Sequence, residues 1–171
     1  QFGMLPRMHA QLPRMLEQKP RTALSDYMQA VTRPGERIAV FSMSVWPASP
    51  AYAYAHRLPA LRYSMAFPVA MAHEGAGTWE LTGERKWMAD TYYRHVLEDL
   101  ARHRPPVIAI DTVPGFRKVP PDFSMDHWLR RRGFHDGVLK DYVRQSPVAS
   151  LHIYLRRDRA EQSITREAPL P

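Results

Sequence analysis

The sequence predicts an α/β fold: a small, mostly parallel sheet flanked by helices, Rossmann-like in outline but without a dinucleotide fingerprint. Three observations lead there. Residues 38–43 (IAVFSM), 107–111 (VIAID) and 151–155 (LHIYL) are apolar runs of strand length, the signature of buried strands. Segments of helical periodicity lie between them, so helix and strand alternate. Neither Gly-x-Gly-x-x-Gly nor a P-loop occurs, so no nucleotide cradle accompanies the first strand.

The elements follow in order. Residues 22–32 place Leu24, Tyr27, Met28 and Val31 at helical spacing, and Arg33-Pro34-Gly35 ends that helix. The strand at 38–43 comes directly after the turn. From Val45 to Gly83 the chain is rich in Pro and aromatics and reads as a long irregular stretch, with one strand at Leu61–Phe67 and a loop at Glu74–Thr78. Residues 84–103 put Ala89, Tyr93, Val96, Leu97 and Leu100 on one stripe of an amphipathic helix. Pro105-Pro106 stops it, and the strand at 107–111 follows. A Pro- and Gly-containing loop over 112–122 leads to a helix at 124–132, where Met125, Trp128 and Leu129 share a face. Residues 137–145 form a further helical piece, and 151–155 the last strand. The organisation is an N-terminal extension at 1–21, one α/β domain at 22–157 and a polar tail at 158–171.

Composition narrows the function classes. A chain of 171 residues, 44% hydrophobic and 24% charged, has the makings of a globular domain with a real core. The absence of Cys excludes disulfides, thiolate metal sites and a thiol nucleophile. No run of about 18 apolar residues exists to span a bilayer. The net charge of +7 comes mainly from 20 Arg, against four Lys, scattered without the Gly and aromatic pattern of an RNA-binding sheet. Nucleic acid is therefore not expected as a partner. The eight His include no His-x-x-x-His pair and are expected at the surface; no metal site and no cofactor are expected.

Two groups of residues are candidates for binding chemistry. Asp111 ends a buried strand, where α/β folds often present a functional carboxylate, although it could equally cap the loop that follows. Tyr52, Tyr54, Arg57 and Arg62 interleave aromatic and guanidinium groups between Pro residues. Aromatic faces stack on sugars and guanidinium forks grip phosphate, while the same residues could merely cover the sheet edge.

The order of pieces resembles a known family. A helix ends at Arg33-Pro34-Gly35-Glu36-Arg37 and feeds Ile38-Ala39-Val40-Phe41-Ser42; His56-Arg57-Leu58-Pro59 follows in a Pro- and Tyr-rich stretch. Later, Leu100 to Pro106 runs into Val107-Ile108-Ala109-Ile110-Asp111, and Leu151-His152-Ile153-Tyr154-Leu155-Arg156-Arg157 closes the domain. Over roughly residues 22–157 the chain resembles the soluble C-terminal domain of bacterial polytopic GT-C glycosyltransferases, relatives of protein O-mannosyltransferases and arabinosyltransferases. The resemblance implies an accessory domain on the extracytoplasmic face of the inner membrane, following the membrane helices of a longer chain. It implies partnership with that membrane-embedded part and with a lipid-linked sugar or glycan. The family's catalytic carboxylates lie among the membrane helices, so no catalytic residue carries over. Two other readings stay open: an independent small α/β enzyme with its site near Asp111 and the 45–83 stretch, and a protein-interaction module.

Overall fold

The computed structural model describes residues 21–113, 120 and 122–161. Helix α1 (Ala23–Val31) starts at a capping box: Ser25 N–H donates to Thr22 Oγ1 at 3.0 Å and Thr22 N–H to Ser25 Oγ at 2.8 Å. Its Leu24 and Met28 are buried against the sheet. Strand β1 (Arg37–Phe41) follows the turn at Gly35 and is buried at every position but Arg37, as a run covered on both faces must be.

The 45–83 stretch is more regular than its composition suggests. Helix α2 (Ala48–Ala55) buries Ala48, Ala51 and Ala55, whose small side chains let it lie close to the sheet. Strand β2 (Leu58–Pro59) is a two-residue edge strand, the place where Pro is tolerated. Helix α3 (Phe67–His73) carries Pro68 in its first turn, where a missing N–H is harmless. Residues 61–66 form no strand. The apolar run expected there instead turns inward, with Leu61 and Ala66 in the core.

Helix α4 (Gly83–His103) is the longest element. Its buried stripe is Ala89, Tyr92, Val96 and Leu100; Leu97 is exposed, so the core face is rotated slightly from the expected one. Arg104, at φ 40°, ends the helix and strand β3 (Val107–Asp111) begins. Helix α5 (Met125–Arg131) is capped by Ser124 Oγ, which accepts from His127 N–H at 3.1 Å. The short α6 (Phe134–Gly137) and a 3-10 turn (Leu139–Asp141) lead to β4 (Tyr142–Arg144) and β5 (Leu151–Arg156). Residues 157–161 are helical, with Ala160 packed on the core and Arg159 bonded to Glu36, so the expected tail starts as an anchored turn.

The sheet has five strands in the order β2-β1-β3-β5-β4. β1 pairs in parallel with β2 and β3, whereas β5 is antiparallel to both β3 and β4. The sheet is therefore mixed, not mostly parallel. The cause is residues 142–144, expected as helix but built as strand: only six residues separate β4 from β5, too few for a parallel crossover. The chain turns back as a hairpin, and β5 inserts between β3 and β4.

Side chains alternate between two cores. Ile38, Val40, Val107, Ala109, Ile153 and Leu155 meet α1 and α2, while Ala39, Phe41, Ile108, Ile110 and Tyr154 meet α3, α4 and α5. The result is three layers, helix on sheet on helix. Among the described residues no helix is long and apolar enough to cross a membrane.

Ile108 is fully buried at the centre of this stack. Ile108→Ala is expected to cost about 2–5 kcal/mol in urea unfolding, because transfer and cavity losses add. A cost below about 1 kcal/mol would contradict a central β3.

Candidate functional site

The sequence candidates do not meet on one surface. Tyr52 lies against the α1–α2 core, and its hydroxyl donates to Ile38 O at 3.0 Å; burial pushes its phenol pKa up. Tyr54 is half-buried, and its carbonyl accepts from Gln29 Nε2 at 2.9 Å.

Arg57 is only 6% exposed. Its Nε donates to Thr32 Oγ1 at 2.7 Å, and its terminal nitrogens donate to the carbonyls of Thr32 and Ala55. Those acceptors sit at the C-terminal ends of α1 and α2, where unpaired carbonyls and the helix dipole both favour a cation. Desolvation lowers the guanidinium's pKa, against which Glu36 acts.

Arg62 reaches the other face. Its backbone N–H donates to Asp99 Oδ2 at 2.8 Å, and its guanidinium to Asp99 Oδ1 at 2.8 Å and Glu98 Oε2 at 3.0 Å. Burial alone would raise the Asp99 pKa; the Arg62 hydrogen bonds outweigh it and hold the carboxyl below its ordinary value. Next to it, Tyr63 Oη sits 2.7 Å from His95 Nδ1. The aromatic and basic segment thus stitches β2 to α1, α2 and α4.

Asp111 stands elsewhere, at the C-terminal edge of the sheet. Ser42 Oγ lies 3.1 Å from Asp111 Oδ2; Ser150 Oγ and Val113 N–H donate to Oδ1 at 3.2 and 3.0 Å. One carboxylate therefore joins the ends of β1 and β3 to the start of β5, and also caps its own loop. From β1 the chain departs toward β2, and from β3 toward β5 and β4, so the connections diverge between β1 and β3. In open α/β sheets this divergence leaves a crevice at the strand C-termini, the usual place for a ligand.

The segments that leave or adjoin these strand ends carry exposed apolar side chains, which make a rim. Val45 is 48% exposed and Trp46 62%, both in the loop after β1; Val113, 49% exposed, follows β3. Phe67, 47% exposed, opens α3 beside Ser42, since Ala66 N–H donates to Ser42 O at 2.7 Å. Three separate segments thus bring apolar side chains to one edge over a floor of Ser42, Asp111 and Ser150. The sequence signal for this rim is weak: bulky apolar residues immediately after strands, rather than within them.

One buried and two half-buried histidines form a second group that periodicity did not reveal. His73 is 2% exposed, and Asp126 lies between His135 Nε2 (3.2 Å) and His152 Nδ1 (3.5 Å), contrary to a surface placement. Asp126 Oδ1 and both facing nitrogens are buried without a hydrogen-bond partner. Burial would raise the Asp126 pKa, but Arg130 Nε at 2.8 Å prevails and holds it below the ordinary range. Burial first, then Arg130, lowers the His135 pKa. Among the described residues no group of three His, Cys, Asp or Glu is placed to hold a metal ion.

Searches of protein-family models, curated proteins and solved structures found nothing that matches this chain.

Arg57→Ala is expected to cost about 2–4 kcal/mol in urea unfolding, because several buried carbonyls lose a charged donor at once. Arg57→Lys should recover only part of the loss, since an ammonium cannot reach both helix ends as a planar fork. Unchanged stability in Arg57→Ala would remove the clamp.

The histidines set the acid response. His73 and His135 both have lowered pKa values, so the unfolded chain takes up protons first as pH falls through about 6.5. The melting temperature is therefore expected to drop between about pH 7 and pH 5. His135→Gln should flatten that slope; an equally steep slope would place the acid response elsewhere.

Proposed function

We propose that this chain is a noncatalytic accessory domain on the extracytoplasmic face of a bacterial inner membrane. It docks, through the C-terminal edge of its sheet, onto the membrane-embedded body of a GT-C type glycosyltransferase-like protein. There it helps to position a lipid-linked sugar donor or acceptor.

The observation that supports this reading is the exposed rim of Val45, Trp46, Phe67 and Val113 around the strand C-termini. An apolar surface assembled from three segments has a reason to be covered, and a hydrophobic body is the cover the resemblance implies. The floor favours contact over catalysis, because both oxygens of Asp111 already accept hydrogen bonds and hold three segments together. The guanidinium and tyrosine groups of the 52–62 segment serve the architecture in the same way.

Co-purification with the separately expressed hydrophobic portion of the proposed parent protein tests the reading. The double substitution Trp46→Asp and Phe67→Asp should reduce recovery about tenfold or more, as loss of a central apolar anchor does. It should leave the circular dichroism spectrum and melting of the 171-residue chain nearly unchanged, since both side chains are exposed. Undiminished recovery would overturn the docking edge. Sugar transfer from a polyprenyl-phosphate donor by the isolated chain would overturn the noncatalytic role.

A further inference from the structure

Away from the proposed docking edge, α3, α4, α5 and the loop at 79–81 line an open cavity of about 240 Å³. That volume suits a small ligand rather than a large one. Its wall combines His73, Trp79 and Trp128 with Lys86, Arg131 and Arg132.

Two of these cations lie over aromatic rings. The Arg131 guanidinium lies 5.1 Å over Trp79; that of Arg132 lies 4.5 Å over Trp128 and 5.3 Å over Tyr93. A stacked guanidinium keeps its in-plane N–H donors available for an oxyanion. Asp90 answers only part of this charge, shared between Lys86 and Arg132 Nη1 at 2.8 Å. The acceptor of Arg131 among the described residues is Glu80 Oε1, 3.5 Å away on a side chain 86% exposed. Such a loose, solvated pair contributes little and yields readily to a competing anion.

A buried polar group adds an independent reason. His73 is 2% exposed and its Nδ1 is buried without a hydrogen bond, although the ring also lies against the Thr78 backbone. Its ring packs against Trp79, at 5.5 Å, and Phe123, at 4.9 Å. Burial lowers its pKa most; the Thr78 backbone acts against that, and the nearby Arg132, Arg131 and Arg85 add to the lowering. A neutral imidazole and two braced guanidiniums form a donor-rich wall with too few acceptors.

We propose that this cavity is a binding site for a small oxyanion-bearing molecule, a phosphate or carboxylate compound, gripped by Arg131 and Lys86 with His73 at the wall. It shares no residue with the rim around Ser42 and Asp111, so it stands or falls independently of the docking role.

The test is titration of the whole 171-residue chain with inorganic phosphate and with acetate, followed by the indole N–H resonances of Trp79 and Trp128 in nitrogen-15 spectra. Sodium chloride at matched ionic strength is the control, since it separates a site from general screening. Saturable shifts with phosphate or acetate, absent with chloride, are expected; whichever anion binds more tightly assigns the ligand's charged group. Arg131→Gln should weaken binding about tenfold through loss of a charge-assisted fork, and Lys86→Gln should weaken it less. Arg94→Gln, an exposed position outside the cavity, should leave it unchanged. Shifts that follow chloride, or full affinity in both Arg131→Gln and Lys86→Gln, would overturn the site.

Discussion

Arg57 is the constraint on which one half of this structure depends. Two helices, α1 and α2, end next to each other with carbonyls that no helical N–H can reach. A single planar side chain with five donors answers both ends at once, from a position where it is nearly sealed from water. The next residue enters β2, so the clamp also determines where that edge strand begins beside β1. Leu58 N–H donates to Glu36 O at 3.0 Å and Ala60 N–H to Ile38 O at 2.8 Å, which completes the attachment. Arg62 does the corresponding work on the opposite face, through the buried carboxylate of Asp99.

With those stitches in place, β1 and β3 lie side by side in parallel, buried above and below. Their C-terminal ends lie side by side at one edge of the sheet. Asp111 gathers Ser42, Ser150 and the 113 amide there, and fixes three chain segments at a common level. Val45, Trp46, Phe67 and Val113 are exposed on the segments that leave or adjoin this edge. A rigid polar centre with an apolar surround suits a surface that meets a partner, because little further ordering is needed on contact.

The cavity among α3, α4 and α5 follows a different logic. Its aromatic groups belong to the core or its margin, and its guanidiniums rest on them, so charge is presented from a rigid backing. The docking proposed at the strand edge and the anion binding proposed at the helix face would use separate residues. One could be lost without the other.

Much of the architecture was legible in the chain itself. The runs at 38–43, 107–111 and 151–155 became β1, β3 and β5, and the periodicity of 22–32, 84–103 and 124–132 became α1, α4 and α5. These signals are local: burial on both faces requires continuous apolar residues, and an amphipathic helix repeats every 3.6. By itself the sequence therefore determined the class of fold and most of its elements. Only the tertiary structure decided the direction of β5, because the hairpin from Tyr142–Arg144 outweighed the helical reading of that segment. It alone turned Arg57 inward, buried His73 and brought Trp46 to the same edge as Val113. Each of those outcomes depends on groups far apart in the chain, such as the carbonyl of Thr32 for Arg57 and the rings of Trp79 and Phe123 for His73. No local pattern encodes such a meeting, because its energy exists only once the intervening helices and strands have packed.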